Sequence, residues 1–68
     1  MILPEGVHLL DSVVIENPYR PGWNYFRVLV EYLGEKLYFA YEFSDDIARA
    51  EREVVKRIIR KWNLGEDR

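Results

Sequence analysis

Two alternating runs, one from Asn24 to Leu33 and one from Glu35 to Phe43, meet at a glycine, and this pattern restricts the chain more than any other. A two-residue turn over Gly34-Glu35 with glycine first has the signature of type II′. Leu33 then faces Lys36, Tyr32 faces Leu37, Val30 faces Phe39, Val28 faces Tyr41 and Phe26 faces Phe43. The last four pairs are apolar or aromatic, and all fall on one face because strand side chains alternate with a period of two. The opposite face pairs Arg27 with Glu42, a favourable but minor charge couple. A one-residue slip would send every apolar side chain to the wrong face, so the pattern specifies an antiparallel hairpin.

Val7 to Glu16 reads as a preceding strand. Val7, Leu9, Val13 and Ile15 share one parity, and Asp11 interrupts it. Either Asp11 lies where that face is wet, or a bulge at Asp11-Ser12 switches the parity. Pro18 and Pro21 cannot donate to a ladder, so Asn17 to Trp23 reads as a connection, with Pro21-Gly22 at the centre of a type II turn. After the hairpin, Ser44 is the expected helix cap, with Asp45 and Asp46 in the first turn, where acidic charge suits the helix dipole. The helix is expected from about Asp45 to Trp62, stopping near Gly65. Ile47, Ala48, Ala50, Val54, Val55, Ile58, Ile59 and Trp62 fall within one half of its wheel, a stripe wide enough to cover a sheet face. Glu51 projects into that stripe. The expected fold is therefore α+β: a three-stranded antiparallel β-meander with one C-terminal α-helix packed on one face, forming a single domain over residues 1–68. Strand order 1-2-3 is favoured, although the third strand is apolar on both faces and could be central.

A chain of 68 residues buries only about 60% of the surface its unfolded form exposes, so its core is small. It has no cysteine and one histidine, His8. Disulfides, thiolate metal sites and histidine pairs are thereby excluded within one chain. The longest apolar run, Leu37 to Tyr41, is far too short to span a membrane, and the first residues lack the pattern of a signal peptide. A soluble cytoplasmic protein is expected. Gln and Thr are absent and charged residues make up 32% of the chain, a bias that fits a thermophilic source.

Charge is unevenly distributed. Residues 1–48 carry three basic and eight acidic groups, net −5, whereas residues 49–68 carry seven basic and four acidic groups, net +3. Arg49, Arg52, Lys56 and Arg60 lie on the helix side away from the apolar stripe and could contact nucleic-acid phosphates. Ordinary solvation explains the same residues. Cations late in a helix suit its dipole, and Arg49–Glu53 and Glu53–Arg57 are spaced for ion pairs. A total charge of −2 also argues against a general nucleic-acid binder.

One helix covers one sheet face, so the other face needs an explanation. Leu10, Val14, Leu29, Leu33, Tyr38 and Ala40 are expected there as an exposed apolar patch, which points to a protein partner. Base stacking on Tyr25 and Tyr38 is a rival use, opposed by Glu31 and Glu42 on the same face. Asp11 and Glu51 both occupy apparently inward positions and would be the only candidate carboxylate pair for a divalent cation, although two-metal chemistry needs more acids than these. Ser12 and Ser44 have no base except His8, and the glycines are scattered through turns. Neither a catalytic site, a cofactor site nor a metal site is expected. The sequence thus leads to a small non-enzymatic interaction module, a homodimer or a subunit of a larger assembly. Nucleic-acid binding through the basic helix face is the alternative.

Overall fold

The computed structural model describes residues 1–65. In it, β1 (His8–Glu16), β2 (Asn24–Tyr32) and β3 (Glu35–Phe43) are followed by α1 (Ile47–Trp62). The strands form an antiparallel sheet in the order β1-β2-β3, so β3 is an edge and not the centre. The helix crosses β3 and the near side of β2 and does not reach β1.

The hairpin forms, but its register differs by two residues from the expected one. The turn residues are Leu33 and Gly34, with φ of 52° and 86°, and Tyr32 lies opposite Glu35. Positive φ at both central positions marks a type I′ turn, whose twist matches that of the flanking strands. Val30 therefore faces Leu37, Val28 faces Phe39, Phe26 faces Tyr41 and Arg27 faces Ala40. A two-residue slip leaves every side chain on its original face, so hydrophobic sorting alone does not distinguish the two registers. The observed one brings Glu31 opposite Lys36, a charge pair the expected register lacked. Leu33 is a poor residue for its conformation and is 86% exposed, so it gains nothing from packing in return. Leu33→Asn should raise stability by about 0.5–1 kcal/mol, read as a higher urea midpoint at unchanged m-value.

β1 carries the bulge, one residue before its expected place. The β1–β2 register jumps between Leu9 and Asp11, which leaves Leu10 without an opposite residue. Beyond it, Ser12 faces Val28 and Val14 faces Phe26, while Asp11, Val13 and Ile15 face Leu29, Arg27 and Tyr25. Cross-strand partners share a face, so Val14 lies on the helix side of the sheet. Asp11, Val13 and Ile15 lie on the open side.

The core is compact and asymmetric. Val7, Phe26, Val28, Val30, Ala50, Val54 and Ile58 are buried: three from β2, three from α1, and Val7 just ahead of β1. Leu3, Phe39, Tyr41, Phe43, Trp62 and Leu64 close its margins. Trp62 fastens the end of the helix to the hairpin. Its ring lies 5.2 Å from Tyr32 and 5.9 Å from Phe39 between centroids, and its Nε1 donates to Glu35 Oε1 at 2.8 Å.

The helix begins two residues later than expected. Asp46, not Ser44, is the N-cap, and its Oδ1 accepts from the Arg49 N–H at 3.0 Å. Ser44 Oγ is engaged with Asp45 Oδ1. The chain needs Ser44 and Asp45 to leave the sheet, and Asp is as good a cap as Ser. Asp46→Ala should therefore cost about 1 kcal/mol in denaturant unfolding, and Ser44→Ala a few tenths at most. At the other end Asn63 adopts the left-handed conformation, φ 55°, and its N–H reaches the Ile59 carbonyl. This is the usual way an α-helix is terminated.

Candidate interaction surface

The six residues expected to form one patch are not together. Leu33 sits in the hairpin turn, Leu10 is the bulged residue and Val14 is on the helix side of β1. Only Leu29, Tyr38 and Ala40 share the open face. Leu29 and Ala40 are half-buried, and the Arg27 guanidinium stacks over the Tyr38 ring at 5.1 Å. Glu42, on the same face, accepts from Arg20 Nη1 at 2.8 Å and from Asn17 Nδ2 at 2.9 Å. Much of the open face is thus occupied by its own polar contacts, as antiparallel sheet faces toward water commonly are.

Exposed apolar surface is concentrated on β1 instead. Leu9, Leu10, Val14 and Ile15 are 44, 45, 47 and 38% exposed, and Val13 is half-buried. The cause is the reach of the helix. α1 lies over β3 and β2 and does not reach β1, so Leu9 and Val14 on the helix side of β1 stay half-exposed, and its other side belongs to the open face. β1 is therefore a sheet edge with apolar side chains on both faces. Met1 and Ile2 extend this character beside the helix, where they line an apolar hollow of about 370 Å³ with Val55 and the stems of Arg52 and Lys56. The signal for β1 was in the sequence as the interrupted parity at Asp11; the presence of a bulge sets the faces of Val13 to Glu16, and its place at Leu10 sets that of Asp11.

The opposite edge is capped at one carbonyl. Arg57 reaches from α1 to donate from Nη1 to the Ala40 carbonyl at 2.6 Å, with its guanidinium 5.1 Å above the Tyr41 ring. The expected Glu53–Arg57 pair is replaced by this contact, and Glu53 pairs with Lys56 at 3.3 Å. Arg49, Arg52, Lys56 and Arg60 are all exposed.

The β1–β2 connection carries a polar node that sequence reasoning missed. Two consecutive turns close it, with Arg20 N–H bonded to the Asn17 carbonyl and Trp23 N–H to the Arg20 carbonyl. Gly22, at φ 84°, occupies the position of the second turn that favours glycine, as Pro21-Gly22 implied. Asn17 is buried and bonds to Glu42, to the Tyr25 hydroxyl and to the Tyr19 N–H. Arg20 bonds to Glu42 and stacks on Trp23 at 3.8 Å. Asn-Pro signalled a turn, but nothing local signalled that its side chain would be buried.

Asp11 and Glu51 do not form a carboxylate pair. Asp11 is exposed on the open face, whereas Glu51 is on α1 across the sheet, with its Oε1 4.0 Å from the Met1 nitrogen. Among the described residues no helix is long and apolar enough to cross a membrane. No family model, curated protein or solved structure matches the chain.

Proposed function

We propose that the chain is a non-enzymatic interaction module that associates with a second copy of itself through β1. The observation that carries this reading is the exposure of Leu9, Leu10, Val14 and Ile15 on a strand that no other element covers. Apolar side chains exposed along an uncovered sheet edge, on both of its faces, are surface that pairing with a partner would bury. The shape supports the same reading. The radius of gyration is 12.6 Å, against about 11 Å for a compact domain of this length, so the molecule is thin and its core is shared by few residues. Burial against a partner adds the apolar contacts that the helix does not supply.

Size-exclusion chromatography with light scattering is the test. The wild-type protein is expected at twice 8.2 kDa at micromolar concentrations. Ile15→Lys, which places a charge on the exposed strand without touching the core, should shift it to the monomer and lower its thermal midpoint in a concentration-dependent way. A wild-type protein that stays monomeric at high micromolar concentration overturns the reading.

A second reading, nucleic-acid contact, rests on the exposure of Arg49, Arg52, Lys56 and Arg60 along α1. Glu51 and Glu53 lie among these cations and weaken the field they make. Binding is expected to be weak and to disappear with moderate salt. Submicromolar affinity in fluorescence anisotropy at physiological salt, abolished in Arg52→Glu/Lys56→Glu, would favour this reading over self-association.

A further inference from the structure

The backbone of β1 has a side that the sheet does not use. Asn17 N–H donates to the Trp23 carbonyl at 3.0 Å, in line with the register that places Ile15 opposite Tyr25 and Val13 opposite Arg27. Hydrogen-bonded pairs alternate along an antiparallel ladder. The odd-numbered residues Asp11, Val13, Ile15 and Asn17 therefore turn their backbone groups toward β2. Ser12, Val14 and Glu16 turn theirs outward. The same counting from the Tyr32–Glu35 pair at the hairpin turns the Ala40 backbone outward on β3, where Arg57 takes its carbonyl. Among the described residues, no side chain does the same for β1.

We infer, resting on the self-association proposed above, that two copies join by antiparallel pairing of β1 with β1 about a two-fold axis at Val14, giving one continuous six-stranded sheet. Parity allows few registers, because outward-facing residues must meet outward-facing residues, and the side chains choose among them. An axis at Val13 would set Asp11 against Ile15 and Ser12 against Val14, mixing polar with apolar. An axis at Val14 sets Val14 against its own copy and Val13 against Ile15. It also sets Ser12 against Glu16, so that a hydroxyl donor meets a carboxylate acceptor and no like charges face each other. The axis stands perpendicular to the sheet, so both helices lie on one face, flanking the paired strands. The strand has neither proline nor lysine from Val7 to Glu16, the residues with which monomeric proteins commonly guard an edge.

The outward direction of the Val14 N–H makes the test specific. Val14→Pro removes a donor that β2 does not use, a position where a strand tolerates proline, and at the axis it removes the bond from both copies. Its dimer dissociation constant is expected to rise about 10- to 100-fold, with far-UV circular dichroism retained. Tyr38→Pro, its counterpart on the β3 edge, should leave the constant unchanged. Amide hydrogen exchange on the wild-type protein gives a readout that needs no variant. The Ser12, Val14 and Glu16 amides should slow as concentration rises, and those of Lys36 and Tyr38 should not. A dimer whose Ser12, Val14 and Glu16 amides exchange freely at every concentration, or whose dissociation constant is unchanged in folded Val14→Pro, overturns edge pairing while self-association through a strand face stands. A protein monomeric at all concentrations overturns both.

Discussion

Ile58→Ala should remove about 2–5 kcal/mol from the unfolding free energy, measured by urea titration of the isolated protein. Ile58 is fully buried on α1, in line with Val54 and Ala50, against the Phe26, Val28 and Val30 face of β2. Truncation loses the transfer energy of the deleted atoms and leaves a cavity, because helix and sheet are tied together by Trp62 at one end and the short connection through Ser44 and Asp45 at the other. A domain of this length has about 3–10 kcal/mol in total. The variant is therefore expected to lose a large share of its stability and, where the total lies at the low end, to be partly unfolded at room temperature. Ile47, on the same helix but 41% exposed, gives the control: Ile47→Ala should cost well under half as much. Equal losses at the two positions would mean that the helix does not pack as described.

Asn17→Ala should cost about 2–3 kcal/mol, a large effect for a surface connection. The Asn17 side chain uses both its functional ends. Its oxygen accepts from the Tyr19 N–H at 3.0 Å, and its nitrogen donates to Glu42 Oε2 at 2.9 Å and to the Tyr25 hydroxyl at 3.2 Å. Alanine leaves the Tyr19 amide without that acceptor and takes a donor from Glu42, with the backbone turn still closed by the Trp23 carbonyl. Arg20→Ala removes a more exposed partner of the same carboxylate and should cost about 1 kcal/mol or less. The comparison separates a buried polar tie from a solvated ion pair. If Asn17→Ala unfolds at the wild-type urea concentration, the node contributes nothing to stability.

The fold was legible because alternation and helical periodicity report faces, and faces set the layers. Register is a different quantity. Phe26, Val28 and Val30 point to the core in either hairpin register, so the choice fell to the turn, where Leu33 disguises a type I′ position that Asn or Gly would have announced. β1 was misread at one residue. The expected patch follows from unbroken alternation through β1; a bulge anywhere between Leu9 and Ser12 switches the parity beyond it and moves Val14 to the helix side, while its place at Leu10 puts Asp11 on the open face, away from Glu51. The exposed strand has a different origin. How far a helix reaches across a sheet depends on the angle at which it leaves β3, and that angle is set by Ser44 and Asp45, which carry no periodic signal. Asn17 escaped notice for a simpler reason: its partners Tyr25 and Glu42 lie on two different strands, and only the folded chain brings them together.

If two copies join through β1 as proposed, the bond from Arg57 to the Ala40 carbonyl bears on how far assembly can proceed. A sheet with two open edges can add copies at both and has no natural end, which is the geometry of fibres. In the proposed dimer β1 is used up, and Arg57, at the Ala40 carbonyl on the outward side of β3, stands where a further strand would have to pair. On that reading one arginine works against a second valency. Its removal is a change whose consequence would be read in the turbidity of a concentrated solution before it was read in the stability of the fold.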